Sequence, residues 1–148
     1  MKNILENFEI IKISGMLQGN CLFNALAEGI NSDESAKQIR DNLGEWIINN
    51  KGKLINKISI SNLIKNGYKI SVENYVLKLK DRQWGTTVDI IAFFYQYMVN
   101  IIVYEQINKT QFKDILSFID KNNEKNVYLL HSKNEWGEHY NLLKMINQ

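Results

Sequence analysis

The 148-residue chain has no proline, one cysteine, two histidines and no block of like charge, and each shortage removes a class of protein. One cysteine cannot close an internal disulfide, so a disulfide-stapled secreted scaffold is excluded and a reducing intracellular setting is the simpler expectation. One thiol and two imidazoles at unsuitable spacing are too few for a structural zinc site, so no metal or other cofactor is expected. The 18 basic and 16 acidic side chains are scattered and leave a net charge of +2, which gives no phosphate-tracking stripe and argues against a nucleic-acid partner. No apolar run approaches the roughly 20 residues of a membrane helix, and the opening segment, broken by Glu6 and Glu9, lacks a secretory core. A soluble protein without a membrane partner is expected.

The missing proline goes with abundant Asn, Ile and Lys, a bias that an AT-rich genome produces without any structural need. Such a composition suits a viral protein or an effector of an intracellular bacterium acting in host cytosol. A hydrophobic fraction of 45% and a charged fraction of 23% are ordinary for a folded globular chain. A chain of this length fits one domain, residues 1–148, expected to be a monomer, and can bury roughly two-thirds of the surface its unfolded form exposes.

The apolar pattern divides the chain into elements. Phe8 to Ile13 reads as a strand or an extended lead-in that stops at Ser14-Gly15. Asn20 is suited to cap a helix from Cys21 to Glu28, with Leu22, Phe23, Leu26 and Ala27 at helical spacing and Gly29 as a left-handed stop. Asn31 with Glu34 resembles a capping box, followed by a stripe of Ala36, Ile39, Leu43, Trp46 and Ile47 that ends near Gly52. Leu54 to Ile64 is a weaker helix, Asn66-Gly67 a turn, and Ser71 the cap of a helix with Tyr75, Val76 and Leu79. Thr86 or Thr87 caps an apolar helix through Val88, Ile91, Ala92, Phe94 and Tyr95. Strands are expected at Val99 to Tyr104, Val127 to His131 and His139 to Met145, and Phe112 to Ile119 fits helix and strand equally. Helices early and strands late predict an α+β domain with a small, mostly antiparallel sheet flanked by helices.

The chemistry-bearing residues fall at two of these junctions. Cys21 opens a helix behind the loop Gln18-Gly19-Asn20, where unpaired N–H groups and the helix dipole favour a thiolate. Gly19 allows close approach of a bound carbonyl, and the N–H groups of residues 18–21 can converge on the oxyanion formed by attack. Far down the chain comes Glu138-His139-Tyr140-Asn141. On a strand, His139 and Asn141 share a face, so the amide can hold the ring that exchanges the thiol proton. A lone cysteine is most often a small buried hydrophobe, and it is the partner motif that turns Cys21 into a candidate nucleophile. His131 lacks such a context and reads as structural. Trp46, Phe93, Phe94, Tyr95 and Tyr97 lie on helical stripes and read as core.

Gly-Asn-Cys-Leu-Phe at 19–23, Trp84-Gly85 ahead of a helix and the strand 99–104, and Glu-His-Tyr-Asn at 138–141 together resemble the ovarian tumour (OTU) cysteine proteases, a papain-like group. The order and spacing match from about residue 14 to the end. The resemblance implies Cys21 and His139 as the catalytic pair, Asn141 as the third member, and cleavage of isopeptide bonds to ubiquitin or polyubiquitin. It also implies a narrow channel for the Gly-Gly tail of ubiquitin, with Trp84, Gly85, Trp136 and Tyr140 along it and Glu135 or Glu138 facing basic residues near that tail. The chain departs from the family at Gln18, usually acidic, and at Asn24, often basic. Two other readings use the same residues: a silent ubiquitin-binding module, and a thiol protease for a ubiquitin-like modifier.

Overall fold

The structure, a computed structural model, describes residues 7–15, 19–109, 111–134 and 137–146. Among them the chain runs β1 (Phe8–Ile11), α1 (Cys21–Gly29), α2 (Ala36–Asn49), β2 (Leu54–Ile55), β3 (Ile58–Ser59), α3 (Ile60–Tyr68), α4 (Val72–Asp81), α5 (Thr87–Tyr97), β4 (Asn100–Gln106), β5 (Phe112–Phe118), β6 (Asn126–Asn134) and β7 (Gly137–Met145). Five strands form one sheet in the order β1-β7-β6-β4-β5, and β2 and β3 form a small hairpin. Only the β4–β6 pair is parallel; the other pairs are antiparallel. The expected mixed fold with a small, mostly antiparallel sheet is therefore what the chain adopts.

The period-2 and period-3.6 patterns meet in one core. Leu22, Phe23, Ala25 and Leu26 of α1 and Ile39, Leu43 and Ile47 of α2 are fully buried with Val127, Leu129 and Leu142 of the sheet. The opposite face of the sheet is covered less deeply, by Phe8, Phe112, Leu130 and Leu143. Gly29 is the closest approach of α1 to the sheet, since a Cβ there would lie 2.7 Å from Val127 Cγ1.

Several boundaries differ from the expected ones for identifiable reasons. Gly29 does not stop α1 in a left-handed turn; it stays helical, and the positive φ of 55° falls on Asn31. The capping box of α2 is built by Ser35 and Gln38 rather than Asn31 and Glu34, with Gln38 N–H donating to Ser35 Oγ (3.1 Å) and Ser35 N–H to Gln38 Oε1 (2.7 Å). Glu34 is occupied elsewhere, accepting from Asn42 Nδ2 (2.8 Å) and Tyr97 OH (3.2 Å) and so tying α2 to α5. Asn66 and Gly67 lie inside α3, which ends instead at Lys69 with φ of 62°. Residues 54–59 are a hairpin, not helix, and the ambiguous 112–118 segment is an edge strand on β4. Tyr95 is half out of the core, its ring stacked 5.5 Å from that of Trp46.

Asp89 is an acid inside the apolar α5. Its carboxylate accepts from Thr86 N–H (3.0 Å) and Tyr75 OH (2.7 Å), and Thr86 Oγ1 also meets Tyr75 OH. These bonds fasten the start of α5 to α4 and thereby fix the Trp84-Gly85 turn. Complete burial lifts the Asp89 carboxyl from 3.8 to about 6, against the pull of those donors and of Arg40. An acid with a raised native pKa binds its proton more tightly when folded, so stability is fullest below 3.8 and declines as pH rises through about 6. Between about pH 4 and pH 7, wild type should lose about 2–3 kcal/mol more unfolding free energy than Asp89→Asn, measured by urea titration at each pH.

Candidate active site

Strand β1 pairs with β7 only from Phe8 opposite Met145 to Ile11 opposite Leu142. Before Leu142 that edge of β7 has no strand beside it among the described residues, and two other parts of the chain take its place. Ile13 N–H donates to Asn141 Oδ1 at 2.9 Å, and the start of α1 brings Cys21 up to the backbone N–H of Tyr140. Alternation along β7 sends Tyr140 and Leu142 into the main core and turns His139 and Asn141 to the other face together.

His139 Nε2 lies 2.8 Å from Asn141 Oδ1. The same oxygen takes the Ile13 N–H, and only an amide oxygen can accept it, so the orientation of the Asn141 amide follows from the backbone. Facing an acceptor, Nε2 must carry the ring proton, and in the neutral imidazole Nδ1 is then the basic nitrogen. His139 Nδ1 is buried and has no hydrogen-bond partner among the described residues, the Cys21 sulfur included.

Cys21 is the first residue of α1 and 4% exposed. Burial pushes its thiol up; the N–H groups of Tyr140, Leu22 and Cys21 itself and the charge of Arg40 pull it down. Asn20 precedes the helix as expected, but its side chain makes no capping bond to α1. Asn20 Oδ1 instead accepts from Arg40 Nε (3.1 Å) and Nη2 (3.0 Å), and Arg40 Nη2 also donates to Gly19 O (2.8 Å). With the cap diverted, the first amides of the helix are left for the sulfur.

Trp84 spans the two halves of the site. A Cβ on Gly19 would lie 2.7 Å from Trp84 Cδ1, and one on Gly137 would lie 2.5 Å from Trp84 Cζ3. The indole is thus wedged between the cysteine loop and the turn that leads to His139, with both glycines at positive φ. Gly85 is packed on Leu22 and Tyr140 is 7% exposed against the His131 ring, whereas Glu138 reaches solvent. His131 is buried between Glu105 (3.8 Å) and Glu138 (3.6 Å), away from the His139–Asn141 pair. Gln18, Glu135 and Trp136 lie outside the described residues.

Three contributors were not anticipated. Ile13 acts through its backbone and has no local sequence signal for that role, whereas Asp89 stands three residues after Thr86 in a capping-box pattern. Arg40 also has a signal: it is a charge on the apolar stripe formed by Ala36, Ile39, Leu43 and Ile47.

No family model matches the sequence, and no curated protein matches it. Solved structures do match. The Hazara virus OTU, solved bound to ubiquitin, has a TM-score of 0.77 at 15% identity, over 99% of this chain and 87% of that one. The OTU domain protease of Farallon virus has a TM-score of 0.70 at 20% identity, over 99% and 89%. An OTU deubiquitinase from Wolbachia pipientis wMel, also solved bound to ubiquitin, has a TM-score of 0.60 at 19% identity, over 96% and 98%. The chain has the OTU fold.

Gly19→Ala combines a φ of +72° with a Cβ 2.8 Å from Arg82 O, so neither the backbone nor its neighbours can yield without moving Trp84. This substitution should lower the unfolding free energy by about 1–3 kcal/mol, read by urea denaturation.

Proposed function

We propose that this chain is a cysteine protease of the deubiquitinase type, hydrolysing peptide and isopeptide bonds at the C-terminal glycine of ubiquitin, with residues 1–148 as one catalytic domain. The observation that carries the reading is the double use of Asn141 Oδ1 by Ile13 N–H and His139 Nε2, which leaves His139 with a buried, unpartnered Nδ1 at the strand whose Tyr140 N–H meets Cys21. That is the state a general base needs. Two of the OTU structures it resembles were solved bound to ubiquitin, which supports the substrate class.

In this mechanism the Cys21 proton passes to His139 Nδ1 and the sulfur bonds to the carbonyl carbon of the terminal glycine. The developing oxyanion is met by amides at the start of α1 and by that of Gly19, the Asn20 N–H being taken by Gly15 O (2.8 Å). The C–N bond then breaks as His139 returns the proton to the leaving amine. Water, deprotonated by His139, attacks the thioester and releases the glycine carboxylate and the free thiol. Asn141 stabilises the ring that becomes positively charged in both halves, and Trp84 and Glu138 are the residues offered to the ubiquitin tail.

Ubiquitin carrying a C-terminal electrophile should form a covalent adduct with wild type and none with Cys21→Ser. Absence of an adduct with folded wild type, while a control enzyme reacts, overturns the reading. Binding of ubiquitin without turnover, unchanged in Cys21→Ala, would identify a silent binding module instead.

A second test uses the acceptor geometry. Asn141→Ala removes both bonds and should reduce kcat/KM by about 10- to 100-fold. Asn141→Asp keeps an oxygen acceptor for Ile13 N–H and His139 and should stay within about tenfold of wild type in a ubiquitin-tail reporter assay.

A further inference from the structure

Arg40 is 2% exposed, and all five of its N–H groups are engaged by neutral oxygens. Besides the bonds to Gly19 O and Asn20 Oδ1, Nη1 donates to Leu79 O (2.7 Å) and Gln83 O (2.6 Å). The guanidinium also lies 4.3 Å from the centroid of the Phe23 ring. Among the described residues no carboxylate is within ion-pair distance of it. A buried cation of this kind is expensive to desolvate and is retained where its hydrogen bonds or its field are used.

Both are directed at one place. Gly19 and Asn20 are the two residues before Cys21, and the bond to Asn20 Oδ1 is what keeps that side chain from capping α1. The other two carbonyls belong to the end of α4 and the residue before Trp84, so a single planar group joins the cysteine loop to the segment carrying the indole. The charge, unneutralised by a partner, is felt at the sulfur, where it opposes the effect of burial.

We infer that Arg40 is a positioning residue for the nucleophile: it holds Gly19 and Asn20 so that the first amides of α1 face the Cys21 sulfur, and it supplies the buried positive charge that favours the thiolate. The assignment rests on the Cys–His hydrolase reading for its purpose, but its physical content concerns the thiol alone. The titratable groups facing the sulfur are Arg40 from α2 and Tyr140 from β7; those facing Arg40 are Asp81 and Tyr75 from α4 and Asp89 from α5. Replacing Arg40 changes one member of this set.

Cys21 is the only thiol, so alkylation by iodoacetamide reports on it alone. The rate would be followed across about pH 5 to pH 10 for wild type, Arg40→Met and Arg40→Lys, with circular dichroism melting to verify folding. Arg40→Met should raise the alkylation midpoint, a shift that a purely structural residue would not cause. Arg40→Lys retains the charge but not the planar fork, so its midpoint should stay near wild type while reaction with the ubiquitin electrophile slows about tenfold.

Two folded variants with the wild-type midpoint and probe reactivity within about twofold would overturn the assignment. Should Arg40→Met fail to fold, Arg40→Lys decides it: a folded lysine variant as reactive as wild type overturns the assignment, and one slowed about tenfold supports it. Wild type that alkylates with an Arg40-dependent midpoint yet ignores the ubiquitin probe would sink the deubiquitinase reading and still support this role for Arg40.

Discussion

Strand β1 stops pairing at Ile11, and the five residues of β7 before Leu142 are left with an open edge among the described residues. Everything at the site follows from how that edge is filled. A buried strand edge presents backbone groups that need partners, and here a side-chain oxygen and a sulfur serve in place of another strand. Ile13 N–H finds Asn141 Oδ1, which sets the amide, which in turn sets the imidazole. Tyr140 N–H finds the Cys21 sulfur, which sets the distance between α1 and the strand. Had β1 continued for two more pairs, to Ile13 opposite Tyr140, the same N–H groups would have been consumed by the ladder.

The electrostatics of the thiol are a balance within the same small volume. Burial works against ionisation of Cys21, and three backbone N–H groups and one guanidinium work for it. Each of these donors is held by something else: the α1 amides by the diverted Asn20 cap, the Tyr140 amide by the β6–β7 register, and Arg40 by carbonyls on two segments. The groups around the thiol are thereby held in place before any substrate arrives, as the proposed reaction requires. Among the described residues the Nδ1 of His139 is buried without a partner, as are His131 Nδ1 and Gln83 Nε2, and of the three only His139 Nδ1 belongs to the pair held by Asn141.

Trp84 connects this machinery to the rest of the helical layer. Its indole touches positions 19 and 137, where any side chain would clash, and the turn that carries it is fixed below by Gly85 on Leu22 and by the Thr86–Asp89–Tyr75 bonds. The cysteine loop, the histidine hairpin and the start of α5 therefore cannot shift independently. A buried acid in α5, costly at neutral pH, is part of the cost of that rigidity.

Much of this was legible from the chain alone because it is local. The helix opening at Cys21, the strand carrying His139 and Asn141 on one face, and the mixed fold all follow from periodicity and short motifs, which report the nearest few residues. Capping details were less legible: Ser35 displaced Asn31, and Asn66-Gly67 stayed helical, because tertiary packing outweighs the few tenths to one kcal/mol that such local preferences carry. What the sequence determined by itself was the identity and order of the candidate site residues. Tertiary structure decided which atoms meet: that Asn141 is oriented by Ile13, that Asn20 serves Arg40 and not its helix, and that Trp84 bridges two glycines. Those contacts join residues far apart in the chain; Arg40 shows itself as a charge on an apolar stripe but not which atoms it will meet, and the other partners are backbone atoms and absent side chains, which carry no residue-type signature to read.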